Sequence, residues 1–120
     1  MMISRNVARF IPRFSAYRAM WLFVFFDLPT DTKKLRHNYS QFRKKLLKDG
    51  FTMHQYSVYV RHCGSAENAD VHEARVRKAM PEHGMVSIVR ITDKQYGNII
   101  NMWGRKEAPL PKGGFQLEIF

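Results

Sequence analysis

The chain has 120 residues, 45% of them hydrophobic, which allows one modest core but not two and excludes a wholly disordered chain. Its 20 Lys and Arg against 10 Asp and Glu leave a formal charge of +10, a balance that favours polyanionic partners, nucleic acid first. The longest apolar run, 20–26, is far too short to cross a bilayer, and the one cysteine, Cys63, excludes an internal disulfide and points to a reducing, cytoplasmic compartment.

Residues 1–16 form a basic N-terminal extension. The first 19 residues hold Arg5, Arg9, Arg13 and Arg18 and no acid. Pro12 interrupts the segment and no cleavage signal follows, so it reads as a basic arm rather than a transit peptide.

"MWLFVFFDLP" follows at 20–29. Its continuous apolar run predicts a strand over 20–27 buried on both faces or nearly so, stopped by Pro29. Along it, Leu22, Val24 and Phe26 share one face, and Phe23, Phe25 and Asp27 the other. Thr30 or Asp31 is available to cap a helix over 32–48 that ends at Gly50. Leu35, Tyr39, Phe42 and Leu46 recur on one face of that helix, the expected core stripe. Lys33, Lys34, Arg36, Arg43, Lys44, Lys45 and Lys48 occupy the rest, with no acid between Lys33 and Lys48 to relieve them.

A long strand, or a bent strand or hairpin, is expected over 51–63, with Tyr56, Val58 and Val60 alternating with Ser57, Tyr59 and Arg61. A second helix fits 66–80, with Ala69, Val76 and Met80 inward and Pro81 beyond it. "GMVSIVRIT", 84–92, reads as another strand. Residues 93–104 read as a turn with a short helix or strand. "EAPLPKGG", 107–114, has the Pro and Gly content of a linker. "FQLEIF", 115–120, alternates as a strand that would add to a sheet edge, the partner protomer's foremost. The order of elements is the split βαβ pattern: an α+β, ferredoxin-like βαββαβ sandwich over 17–104, with an additional C-terminal strand on the 105–120 segment.

Few residues offer chemistry. His37, His54, His62, His72 and His83 lack the spacing of a zinc helix, and there is no CxxC pair, glycine-rich phosphate loop or G-x-S-x-G elbow. Asp27 stands apart, because a carboxylate at the end of an apolar strand must be solvated, hydrogen-bonded or bound to a cation. As a helix cap or turn residue it needs nothing more. As a magnesium ligand it needs a second carboxylate, which a two-fold dimer supplies by juxtaposing two copies of Asp27. The basic helix is the natural nucleic-acid surface: Lys33, Lys34, Arg36, Lys44 and Lys48, with Arg105 and Lys106, are expected to track phosphates. The competing reading is a non-catalytic ferredoxin-like RNA binder of ribosomal or RNA-recognition type. Residues 84–92 lack the basic-Gly-aromatic-Gly-aromatic signature of an RNA-recognition motif.

"MWLFVFFDLP", "TKK", "GFTMHQYSVYVRHC" and "MVSIVRITDKQYGNI" together resemble the second family of CRISPR-associated proteins, the small subunit of spacer acquisition, over roughly residues 17–104. "YRAMW" and the Phe-Phe-Asp-Leu-Pro ending resemble the form found in type II systems. The resemblance implies a role in antiviral defence and a ferredoxin-like homodimer. It also implies that Asp27 from both protomers flanks one Mg2+ ion as metal ligand and catalytic residue. Family members are described as metal-dependent endonucleases acting on single-stranded RNA or double-stranded DNA. They also bridge two dimers of the integrase subunit, holding the DNA to be inserted. On that scaffold role, Asp27 need not be catalytic.

Overall fold

The structure, a computed structural model, describes residues 19–104 and the backbone of 106–108. The basic extension 1–16, Arg105, and the expected strand over 115–120 lie outside the described residues, as do the side chain of Lys106 and its expected phosphate contact.

Strand β1, Met20–Asp27, is central in a four-stranded antiparallel sheet ordered β2-β3-β1-β4. Helix α1, Lys33–Lys48, follows it, then β2, Thr52–Gln55, and β3, Val58–Cys63. Helix α2, Ala66–Ala79, leads into β4, Met85–Thr92. This is the expected α+β, ferredoxin-like arrangement. The apolar run becomes the middle strand because neighbours on both sides and layers above and below bury most of its side chains, though Phe25 and Asp27, at its end, stay exposed rather than buried on both faces as expected. Leu22, Val24 and Phe26 enter the main core with Phe42, Leu46, Phe51, Tyr59, Ala69 and Val76. Phe26 lies edge-on to Phe42, their ring centroids 5.0 Å apart. Phe42→Ala is therefore expected to cost about 3–5 kcal/mol, read as a lower urea midpoint with little change of slope.

The structure refines the sequence reading in four places. The 51–63 stretch is a hairpin: Ser57 at φ 64° turns the chain, and a register shift lies between Met53 and Gln55. The cap of α1 is Thr32, not Thr30 or Asp31; its hydroxyl accepts from the Leu35 amide at 3.1 Å. The turn after Pro29 runs one residue further than expected before the helix begins. Met80, expected inward, is 41% exposed, because α2 ends at Ala79 and Met80 leaves the helical path at ψ 125°. His72 takes a buried place on α2 instead, its Nδ1 paired with the Asp49 carboxylate at 2.8 Å. Lastly, 93–104 resolves into a short helix α3, Asp93–Gly97, and a strand β5, Asn101–Trp103. β5 pairs with β6, Lys106–Ala108, so Glu107 and Ala108 belong to a hairpin rather than to the expected linker.

Candidate functional site at the end of the central strand

The helices cover one face of the sheet, and α3 covers only part of the other. On that second face Trp21 and Phe23 are buried with Val60 and Tyr96. The Trp21 and Tyr96 rings stack at 3.6 Å, and the Trp21 indole Nε1 donates to Asp93 Oδ1 at 2.6 Å. These aromatics are thus committed to packing. Further along the face the cover stops, leaving Phe25 41%, Val89 45% and Met85 66% exposed. Register places them side by side, since Phe25 lies opposite Ser87 and Val58, Phe23 opposite Val89, and Asp27 opposite Met85.

Asp27 ends this bare apolar strip. Its side chain is exposed, and among the described residues its carboxylate accepts no hydrogen bond and makes no ion pair. The capping role is filled by Thr32, so Asp27 is not a helix cap. Of the three fates open to the carboxylate, solvation and cation binding remain.

Two neighbouring segments shape the surroundings. Phe26 donates its amide to the Ser57 carbonyl at 3.0 Å, tying the β2–β3 turn to the end of β1. On the other side Gly84, at φ 106°, lets the α2–β4 loop press against the strand end. A Cβ there would meet Leu28 Cδ2 at 2.5 Å and the Asp27 carbonyl at 2.9 Å, so no larger residue fits. A pocket of about 350 Å³ results, lined by Phe25, Asp27, Tyr56, Ser57, Met85 and Ser87 among others. Tyr56 is 79% exposed at its rim. Ser57 is held by Tyr39, whose hydroxyl lies 2.9 Å from Ser57 Oγ. Ser57, Ser87 and Tyr56 escaped sequence reasoning because they arrive from elsewhere in the chain, Ser87 from β4 and the other two from the β2–β3 turn. The one signal was the place of Tyr56-Ser57 inside "QYSVY".

A family profile described as CRISPR associated protein Cas2 matches residues 20–99, which span β1 to the end of α3. The chain belongs to the Cas2 family. It is 51% identical over 108 residues to the CRISPR-associated endoribonuclease Cas2 of Flavobacterium psychrophilum, covering 90% of this chain and 94% of that protein. The protein of the same name from Parvibaculum lavamentivorans is 52% identical over 101 residues, 84% of this chain and all of that one. That of Streptococcus mutans is 35% identical over 100 residues, 82% and 90% of the two chains.

The cations expected to bind nucleic acid in this Cas2 family member divide by helical phase. Lys33, Lys44 and Lys48 fall within about 60° of one another on the outward face of α1. Lys34 lies on the flank and lines a second pocket with Pro29, Asn38 and His83. Arg36 lies on the opposite flank, donating to the Thr30 carbonyl at 3.1 Å. All five are exposed. Arg43 is also exposed, but its Nε donates to the Tyr59 hydroxyl at 2.7 Å. Cys63 is buried, and burial pushes its thiol above the ordinary range although Arg61 opposes the shift, the environment of a structural rather than a reactive thiol. No helix among the described residues is long and apolar enough to cross a membrane.

Proposed function

We propose that this chain is the small subunit of CRISPR spacer acquisition. It acts as a homodimer that binds double-stranded DNA, bridges dimers of the integrase subunit, and hydrolyses phosphodiesters with magnesium, single-stranded RNA included. The observation that carries the reading is the exposed Asp27 carboxylate, unpaired among the described residues, at the end of an exposed apolar strip of the sheet. A second copy seated on that face by a two-fold axis buries Phe25, Met85 and Val89 and brings the two Asp27 residues to one seam.

Magnesium suits the donors present. It prefers hard oxygens, keeps several waters, and needs only one or two carboxylates. Among the described residues of one chain there is no group of three or more His, Cys, Asp or Glu placed to hold a metal ion. The Asp27 carboxylate, with the Ser57 and Ser87 hydroxyls in the same pocket, offers oxygen only, and the second Asp27 completes the set. The ion, when bound, would polarise a phosphate and acidify an attacking water. The chain's own part is to hold substrate there. Lys33, Lys34, Arg36, Lys44 and Lys48 neutralise backbone phosphates, which needs charge and geometry rather than the ion. Among the described residues no strand lies beyond β4 in the sheet, and "FQLEIF" of the partner protomer is the strand expected to pair there.

Reconstituted integration tests the reading. The integrase subunit with this chain is expected to insert a short duplex into a repeat-bearing plasmid, and the integrase subunit alone to insert little. Equal insertion with and without the chain would overturn the scaffold role.

A further inference from the structure

The β2–β3 turn holds out an aromatic ring that core packing does not use. Period-two alternation would put Tyr56 on the face of Val58 and Val60. The turn, with Ser57 at φ 64°, takes it out of the sheet instead and leaves it 79% exposed. The ring is nevertheless backed. It lies at 25° to the ring of Tyr39 on α1, with centroids 6.2 Å apart. Tyr39 is itself fixed, its ring 5.6 Å from that of Phe26 and its hydroxyl 2.9 Å from Ser57 Oγ. Because Tyr39 packs on the main core beneath the helices, Tyr56 leans to the helical side of the sheet, away from the face assigned above to the second protomer, and it still borders the Asp27 pocket. A cation stands on either side of the backing ring. Arg36 and Arg43 lie three residues before and four after Tyr39, so they neighbour it on one flank of α1, a helix without a single acid. Both are exposed, and each is steadied at its base: Arg36 donates to the Thr30 carbonyl at 3.1 Å, Arg43 to the Tyr59 hydroxyl at 2.7 Å.

We infer that Tyr56 is a stacking platform for one unpaired nucleobase, with Arg36 and Arg43 on the phosphates to either side of it. The inference rests on the nucleic-acid function proposed above and adds the form of the ligand, a single strand at the turn beside Asp27. The arginines select the sign, and their planar guanidinium groups suit phosphate oxygens. The ring selects the unpaired base. Every base has a π face that an exposed aromatic can cover, whereas inside a duplex both faces are already stacked on neighbours. Positive charge along a backbone with an aromatic ring set among it is the recurring form of single-strand recognition. A base seated on Tyr56 brings its adjoining phosphodiester to the rim of the Asp27 pocket, which gives the site a means of positioning substrate that the outward lysines lack. Unpaired nucleotides of this kind occur in single-stranded RNA and in the overhanging end of a DNA duplex. The chemistry of the base is shared by both.

The test uses the full chain in EDTA, so that neither a bound ion nor cleavage enters the reading. Fluorescence anisotropy follows three labelled probes: a short single-stranded RNA, a single-stranded DNA of the same sequence, and a blunt DNA duplex. Tyr56→Ala is expected to weaken the single strands by about tenfold, the usual loss of one base–aromatic stack. Duplex affinity should stay unchanged, because the lysines of α1 are untouched, and that unchanged affinity also shows that the variant is folded. Tyr56→Phe keeps the ring and should bind every probe as the wild type does. If Tyr56→Ala weakens only one of the two single strands, that strand is the source of the unpaired base. Single-strand affinity unmoved in Tyr56→Ala, or lost equally in Tyr56→Phe, would overturn the inference and leave the proposed function standing. So would duplex affinity that falls in step with single-strand affinity. A wild-type chain that binds none of the three probes would remove the proposed function and this inference together.

Discussion

Asp27→Asn is expected to reduce magnesium-dependent phosphodiester cleavage to background while the fold and DNA binding survive. The carboxylate caps no helix and makes no ion pair among the described residues, and its side chain is exposed, so the isosteric amide should change stability by less than about 0.5 kcal/mol. In a two-fold dimer the same substitution removes both anionic ligands from one site. The several kcal/mol that a bound cation contributes to a phosphoryl transition state then vanish together, a loss on the order of a thousandfold in rate. Cations on α1 do not need the ion, so duplex binding should persist. Cleavage and spacer integration measured side by side, wild type against Asp27→Asn, separate the two roles. Integration that survives while cleavage is lost identifies the chain as a scaffold first. Undiminished cleavage by a cleanly purified variant refutes the metal assignment.

The second large effect concerns the sheet face. Phe25→Glu combined with Val89→Glu is expected to convert the proposed dimer to monomer. Both side chains are exposed on one chain's surface, so each protomer should fold as before. Across a two-fold contact the change places four carboxylates in an apolar seam, each without a partner, and desolvating even one costs several kcal/mol. The dimer dissociation constant should rise by on the order of a thousandfold or more. Sedimentation velocity over a concentration series reads this directly. Cleavage should fall in parallel although Asp27 is intact, because the two carboxylates no longer meet. A dimer that forms as tightly with both glutamates in place would move the interface off this face and separate the two Asp27 residues.

Much of this protein was legible in its sequence. The apolar run ending in Asp27 identified the central strand, because a short, aromatic-rich hydrophobic stretch closed by Pro29 fits a strand flanked on both sides. The four-, three- and four-residue spacing of Leu35, Tyr39, Phe42 and Leu46 set the buried face of α1, and Gly50, at φ 92°, ended it as expected. Period-two alternation likewise assigned Asp27 to the face of Phe23 and Phe25, and the register bears this out. These properties are local, set by side chains within a few residues of one another.

Only the tertiary structure decided the rest. Whether Thr30, Asp31 or Thr32 caps α1 depends on how the chain leaves the sheet, which three neighbouring oxygens cannot settle by themselves. That Met80 faces solvent while His72 is buried follows from where α2 stops and from the reach of Asp49 across to it. The single stretch 51–63 became a hairpin because Ser57 adopts a left-handed turn while its carbonyl accepts from Phe26, a long-range bond. Above all, the gathering of Ser57, Ser87, Tyr56 and Met85 around Asp27 joins two strands through sheet register and the β2–β3 turn through the Phe26–Ser57 hydrogen bond. A sequence shows which face a residue takes, through the two-fold and 3.6-fold periods of its own element. It does not show which residues of other elements meet it there, because that is settled by pairing and packing between segments far apart in the chain.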